Sequence, residues 1–158
     1  MVLVSNKFFW IPFYLFILIK TYQKRNTELL KTIVFTVFLV LISDQGSVAI
    51  KNFVKRPRPC HYNNPPHEVI VVKNCGGAFG FVSSHASNSA AFAFFFGLIL
   101  YENMLIVIAL ILYTLIVGYS RIYLGVHFPF DIIGGYIYGA ISGILVYFAW
   151  LKLLKPYK

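Results

Sequence analysis

An uninterrupted apolar run between residues 132 and 151 sets the strongest constraint on how this chain folds. The run reads IIGGYIYGAISGILVYFAWL and contains no charged side chain. A helix of about 20 residues, rising roughly 1.5 Å per residue, is as long as the hydrocarbon core of a bilayer is thick. Because lipid offers the backbone no hydrogen-bond partners, a helix that satisfies its own backbone groups is favoured there. The run therefore predicts a transmembrane helix.

Four further apolar segments precede this run, and together they predict an all-α membrane bundle of about five transmembrane helices. The composition agrees, since 59% of the residues are hydrophobic and 12% are charged, whereas a soluble domain has closer to a quarter of its residues charged. With no internal repeat, residues 1–158 are expected to form a single integral membrane domain. The four earlier segments are residues 8–19, 29–50, 84–100 and 104–119.

The net charge of +9 favours anionic partners. Nucleic acid is excluded as the expected partner, because the basic residues are not gathered on a soluble domain. Anionic lipid head groups or phosphate esters fit better. With five spans, seven Lys and Arg residues fall on each side of the membrane. The positive-inside rule therefore does not decide the orientation, which depends on how many of these cations have a catalytic or binding role.

Two polar connections, residues 51–83 and 119–131, are expected to meet at one membrane face, because a single pair of helices separates them. The second connection holds His127 four residues before Asp131. Pro129 suits the first turn of the following helix, and a carboxylate is favoured in that turn by the helix dipole. Asp131 can then accept a hydrogen bond from one imidazole nitrogen, which leaves the other nitrogen of His127 as a nucleophile.

The first connection supplies groups that suit an anion. Ser83 and Ser84 are candidates to cap the third helix, with His85 in its first turn, and the N–H groups of a helix start bind anions. Lys51 and Arg58 are seven residues apart, so they share one helical face if the second helix continues through KNFVKR. Cations, N–H donors and two histidines are what phosphoryl transfer through a phosphohistidine requires.

Other polar residues have simpler interpretations. Asp44 lies near the end of the second segment, where it either pairs with Lys51 or serves a function inside the membrane. Lys55 and Arg56 are expected to be cations at the membrane interface. His61 and His67 are expected to be solvated, because no neighbouring residue orients them.

Three ordered motifs resemble those of the type 2 phosphatidic acid phosphatase family of membrane lipid phosphatases. The first family motif, Lys, six residues, then Arg-Pro, is matched by KNFVKRPRP. The second, Pro-Ser-Gly-His, is matched in its Ser and His by VSSH. The third, Ser-Arg, five residues, His, three residues, Asp, is matched in full by SRIYLGVHFPFD. The resemblance covers about residues 44–150, and Ser84 stands where the family has glycine.

The resemblance implies a role for each motif residue. His127 would attack phosphorus and Asp131 would orient it, while His85 would protonate the leaving group and then activate water. No metal or other cofactor is implied, because cations take over a metal's electrostatic role. The implied phosphate-binding residues are Lys51, Arg58, Ser83, Ser84 and Arg121.

The resemblance also implies a reaction, the hydrolysis of a phosphate monoester or pyrophosphate of an anionic envelope lipid. Candidate substrates are the 1-phosphate of lipid A, undecaprenyl pyrophosphate and phosphatidylglycerol phosphate. Assigning Lys51, Arg58 and Arg121 to chemistry leaves seven cations against four, so the site would face the periplasm from a bacterial inner membrane. Two alternatives stay open: a lipid-to-lipid phosphotransferase that uses the same residues, and a lipid-binding or transport protein without activity.

The two cysteines of the chain, Cys60 and Cys75, lie in the same polar connection. If this connection faces an oxidising compartment, nearby thiols tend to pair, and a disulfide closing about 15 residues contributes about 3 kcal/mol. The alternatives are two unpaired thiols or a zinc site that adds His61 and His67, although that spacing matches no usual zinc pattern.

Overall fold

The computed structural model describes residues 1–61 and 75–153, and within these ranges the chain forms five α-helices. Short 3-10 helices precede α1 and α2 and follow α2, at Lys7–Trp10, Asn26–Glu28 and Pro59–His61. The described ranges hold no β-strand, only an isolated bridge between Pro57 and Phe79. The helices are α1 Ile11–Lys24, α2 Leu29–Val54, α3 Ser84–Ile99, α4 Met104–Tyr123 and α5 Pro129–Leu153.

Each predicted apolar segment corresponds to one helix, so the prediction of an all-α membrane bundle is confirmed. Three of the helical stretches are individually long and apolar enough to cross a bilayer: Asn26–Val54, Met104–Tyr123 and Pro129–Leu153. The other two helices are shorter, with 14 residues in α1 and 16 in α3.

The α3 helix lies at the centre of the bundle and packs closely against α5. Three glycines spaced four residues apart on α5, namely Gly135, Gly139 and Gly143, face the backbone of α3. A Cβ atom at Gly139 would lie 2.2 Å from the carbonyl oxygen of Ser87. Small residues at this spacing allow helix backbones to approach in membranes. The contact fixes the start of α5 beside the start of α3.

The apolar core and the polar groups occupy opposite ends of the bundle. Phe95, Phe96 and Trp150 are fully buried near the end of α3 and the end of α5. The opposite end collects the C-termini of α2 and α4 and the N-termini of α3 and α5. The two polar connections therefore meet at one end of the bundle, as the topology predicts.

The end of α2 differs from the expectation in one respect. The helix ends at Val54, and Lys55 adopts a left-handed conformation with φ of 52°. The following segment is extended and pairs with residues 78–80, where Arg58 N donates to Ala78 O at 3.1 Å. The prediction that Lys51 and Arg58 share a helical face is therefore wrong, because the turn at Lys55 takes Arg58 off the helix axis.

Candidate functional site

The connection between α4 and α5 positions a buried His–Asp pair. Asp131 lies in the first turn of α5, and its Oδ2 atom is 3.3 Å from Nδ1 of His127. The same oxygen accepts a hydrogen bond from the backbone N–H of Phe128 at 2.9 Å. His127 is 3% exposed and Asp131 is 0% exposed. Because Nδ1 faces the carboxylate, the geometry assigns the proton to Nδ1 and the lone pair to Nε2 of His127.

The environment of His127 favours a neutral ring. Burial lowers the pKa of His127 below its usual value, and the neighbouring Arg58 and Arg121 act in the same direction. The hydrogen bond that His127 donates to Asp131 and the negative charge of Asp131 oppose this shift. An imidazole that stays neutral keeps its Nε2 lone pair available for attack on an electrophile.

Asp131 has a second partner that the sequence analysis missed. Arg56 donates from Nη2 to Oδ1 of Asp131 in an ion pair, and its guanidinium lies over the rings of Phe81 and Phe128. The prediction that Arg56 is an interfacial cation is therefore wrong. Residue spacing could not show this contact, because it depends on the left-handed turn at Lys55 and on the position of α5.

The start of α3 forms the second part of the site. Ser83 caps the helix by accepting from the backbone N–H of Ala86 at 3.5 Å, and its own N–H donates to the carbonyl of Asp131 at 2.9 Å. Ser84 is bound through its hydroxyl to Lys51 and, at 2.6 Å, to Ser47. This network joins the ends of α2, α3 and α5.

His85 is exposed at this end of α3. It is close enough to His127, Arg121 and Arg58 to interact with them electrostatically, and Lys51 acts on it as well. The structure therefore brings together both histidines and all three cations that the motifs single out.

Two of these cations are held in different ways. Arg58 donates to the carbonyl oxygens of Phe79 at 3.2 Å and Cys75 at 2.7 Å. Arg121 donates from Nη1 to the hydroxyl of Ser5. Its Nε atom is buried and has no hydrogen-bond partner among the described residues. A buried donor without a partner is costly, and an anion bound between these groups would satisfy it.

A cleft of about 400 Å³ begins at Ser84 and His85 and extends between α1, α2, α3 and α4. Polar side chains line it, including Asp44 and Asn88. A larger cavity of about 580 Å³ has a mainly apolar lining from α3 and α4 and contains none of the motif residues. The smaller cleft is therefore the one that opens onto the site.

The structure joins Cys60 and Cys75 by a disulfide, with their Cα atoms 6.1 Å apart. His61 lies beside it, with Nε2 3.4 Å from the carbonyl oxygen of Gly76. Ligand atoms of Cys60, His61 and Cys75 fall within 4.8 Å of one another, but sulfurs joined to each other are not thiolate ligands for zinc. His67, the fourth residue of the zinc alternative, lies outside the described residues.

Comparison with known families decides the family. A family model described as PAP2 superfamily matches residues 28–155. The chain belongs to the PAP2 superfamily. The matched residues include all three motifs, which the helices bring to one end of the bundle.

Relatives of this PAP2 protein include two lipid A 4'-phosphatases. The one from Bacteroides thetaiotaomicron is 31% identical over 154 residues, covering 94% of this chain and 68% of the relative. The one from Porphyromonas gingivalis is 37% identical over 155 residues, covering 94% of this chain and 64% of the relative. The chain thus spans about two thirds of the length of these relatives.

The fold also resembles a solved PAP2 structure. The crystal structure of a transmembrane PAP2-type phosphatidylglycerolphosphate phosphatase from Bacillus subtilis superposes with a TM-score of 0.65 and 24% sequence identity. The match covers 98% of this chain and 74% of the other. It shows that the arrangement of helices is shared.

Proposed function

We propose that this PAP2 protein is a membrane lipid phosphatase that hydrolyses a phosphate monoester or pyrophosphate of an anionic envelope lipid. The observation that carries the proposal is the buried contact between His127 Nδ1 and Asp131 Oδ2. A histidine held in one tautomer beside several cations is suited to attack phosphorus. Lys51, Arg58 and Arg121 would neutralise the phosphate oxygens as negative charge develops on them.

The proposed reaction has two steps. In the first, Nε2 of His127 forms a bond to phosphorus while the bond to the ester oxygen breaks, and His85 gives that oxygen a proton. In the second, His85 takes a proton from water, and the water oxygen displaces the histidine to release inorganic phosphate. In the free protein, desolvation and the nearby cations lower the pKa of His85 to about 3. The negative charge of a bound phosphate would raise that pKa, so that His85 acts first as an acid and then as a base. Ser83, Ser84 and the N–H groups at the start of α3 would assist in binding phosphate.

The cations make this mechanism independent of a metal ion and of any other cofactor. Three positive side chains around one phosphate group provide the charge neutralisation that a divalent ion provides in other phosphatases. Activity is therefore expected to persist in excess chelator.

A lipid A phosphate is the first substrate to test, because two relatives are lipid A 4'-phosphatases. Undecaprenyl pyrophosphate and phosphatidylglycerol phosphate are the other candidates. We place residues 1–158 in one membrane domain of a bacterial inner membrane, with the site facing the periplasm. The charge balance supports this orientation, since removing three catalytic cations from the count leaves the opposite face more basic.

The test is phosphate release from a panel of purified lipids in detergent, with and without chelator, by the parent protein and by His127→Ala. The parent is expected to release phosphate in both conditions, and the variant to lose several orders of magnitude in turnover. A folded variant that keeps the parent rate would overturn the histidine mechanism, and strict dependence on a divalent ion would overturn the metal-free one. Transfer of phosphate to a second lipid instead of water would identify a phosphotransferase.

A further inference from the structure

The cleft beside His85 contains a polar pair that the proposed reaction does not use. Asp44 on α2 and Asn88 on α3 both line it, and Asn88 Nδ2 donates to Asp44 Oδ1 at 3.2 Å. We propose that this pair is a head-group subsite that binds hydroxyl or amide N–H donors of a phosphorylated sugar lipid. The proposal rests on the proposed function and specifies the substrate class of the same site.

The subsite lies where the leaving group would be. Asn88 follows His85 by three residues, so the two side chains share a face of α3 and lie about one helical turn apart. His85 is the proposed proton donor to the ester oxygen. The part of the substrate attached to that oxygen therefore extends from His85 into the cleft, towards Asn88 and Asp44.

The pair presents hydrogen-bond acceptors that have no partner among the described residues. With its amide nitrogen directed at Asp44, Asn88 turns its Oδ1 atom away, and this atom is buried without a hydrogen bond. A carboxylate has two oxygens, and only one oxygen of Asp44 accepts a hydrogen bond from a described residue. A buried acceptor such as Asn88 Oδ1 is satisfied by a ligand that brings donors, and the second oxygen of Asp44 can accept from the same ligand.

A purely structural role, in which the Asp44–Asn88 hydrogen bond holds α2 against α3, is a weaker explanation. The same two helices are already joined by the hydroxyl pairs Ser43–Ser87 and Ser47–Ser84, each at 2.6 Å. In each pair the two hydroxyl groups satisfy each other's hydrogen bonding, and no charge is placed inside the membrane. A carboxylate inside a membrane is expensive and marks a ligand or ion site more often than a structural contact.

The size and the remaining lining of the cleft suit a sugar. A volume of about 400 Å³ equals roughly thirteen water molecules, which is several times the space of one phosphate group. Trp10, Tyr14 and Tyr113 line the cleft with Asp44 and Asn88. A sugar ring combines hydroxyl donors at its edge with apolar faces that pack on aromatic rings. The sugar of lipid A also has amide and hydroxyl groups near its phosphates, whereas a polyprenyl diphosphate has none.

The experiment measures kcat/KM of the full chain in detergent with two substrates, lipid A carrying a 4'-phosphate and undecaprenyl diphosphate. Asp44→Asn keeps the size of the side chain but removes its charge. It is expected to lower kcat/KM for lipid A by about 10- to 100-fold, because a charged acceptor is lost. The value for undecaprenyl diphosphate is expected to change by less than about threefold. Asn52→Ala, an exposed position on the same helix, is the matched control and should change neither.

A second variant keeps the subsite testable if Asp44→Asn fails to fold. Asn88→Ala removes the unpaired Oδ1 acceptor and leaves Asp44 in place, and it should reduce the same substrate preference. Equal losses on both lipids in both variants, or no loss on either, would overturn the subsite. A parent protein that hydrolyses only undecaprenyl diphosphate would also overturn it while leaving the proposed phosphatase intact. Absence of phosphate release from every lipid would instead overturn the proposed function.

Discussion

Arg56 forms an ion pair with Asp131, 75 residues later in the chain, and Asp131 in turn contacts His127. One oxygen of the carboxylate accepts from Arg56 and the other faces Nδ1 of His127. Arg56 is 30% exposed and Asp131 is fully buried. A charged partner on one oxygen restricts rotation of the carboxylate, and a fixed carboxylate in turn fixes the imidazole.

Arg56→Ala is expected to lower kcat by about 10- to 100-fold, because a residue that orients a catalytic side chain typically contributes this much. The measurement is phosphate release with the pH profile recorded, since altered support for Asp131 should also move the acid limb. Arg56→Lys should recover part of the rate, because a lysine can restore the charge. Lys55→Ala, the exposed neighbour, serves as the control, and an equal loss in that variant would rule out a specific role for Arg56.

The acid limb of kcat/KM is expected to lie below pH 6.5. The reaction needs neutral His127, and burial lowers the pKa of this residue below its usual value, so protonation stops the reaction only at lower pH. Asp131 raises the pKa of His127. Removing that charge in Asp131→Asn should therefore move the limb to still lower pH, in addition to reducing the rate. A limb that moves to higher pH in this variant would contradict the assignment.

Lys51→Ala, Arg58→Ala and Arg121→Ala are each expected to reduce turnover far more than Lys55→Ala. The first three carry charges that act on His85, whereas Lys55 is exposed at the end of α2. Loss of one charge-assisted contact should cost at least about tenfold. Inhibition by inorganic phosphate provides a second measurement, and all three variants should bind it more weakly. Similar small effects in all four would indicate a diffuse basic surface instead of a site.

The disulfide is expected to support Arg58. Cys75 uses its carbonyl oxygen to accept from Arg58 Nη1 at 2.7 Å, and its side chain is joined to Cys60 across a separation of 15 residues. Thiol counting on denatured protein prepared without reductant should find no free thiol. Reduction should expose two thiols and lower activity, because the loop that holds Arg58 loses about 3 kcal/mol of constraint. Two thiols in protein taken from its native membrane would remove the disulfide and weaken the outward orientation.

Gly139→Ala is expected to destabilise the bundle. The added methyl group would lie 2.2 Å from Ser87 O, a backbone atom that cannot move aside, and overpacking of this kind costs about 1–3 kcal/mol. The measurement is the thermal midpoint in detergent. Gly97→Ala is the matched control, since its nearest contact would be Leu110 Cδ1 at 3.9 Å. Equal midpoints for both variants would contradict the close packing of α3 and α5.

Local features of the sequence determined most of the helices and the motif residues. Apolar runs gave the number of helices and their approximate bounds, because helix formation in lipid depends on the length and polarity of a continuous segment. The spacing of His127 and Asp131 also predicted their contact, since a carboxylate in the first turn of a helix can reach back to the residues just before it. These inferences needed only neighbours along the chain.

The tertiary structure alone decided the partners that come from distant parts of the chain. The left-handed turn at Lys55 directs Arg56 towards the side chain of Asp131. The close packing of α5 on α3 brings the backbone N–H of Ser83 to the backbone carbonyl of Asp131. The pairing of Asp44 with Asn88 depends on the rotation of α2 against α3. Sequence spacing fixes which side of its own helix a residue occupies, but the path of a loop and the relative rotation of two helices are set by packing over the whole bundle.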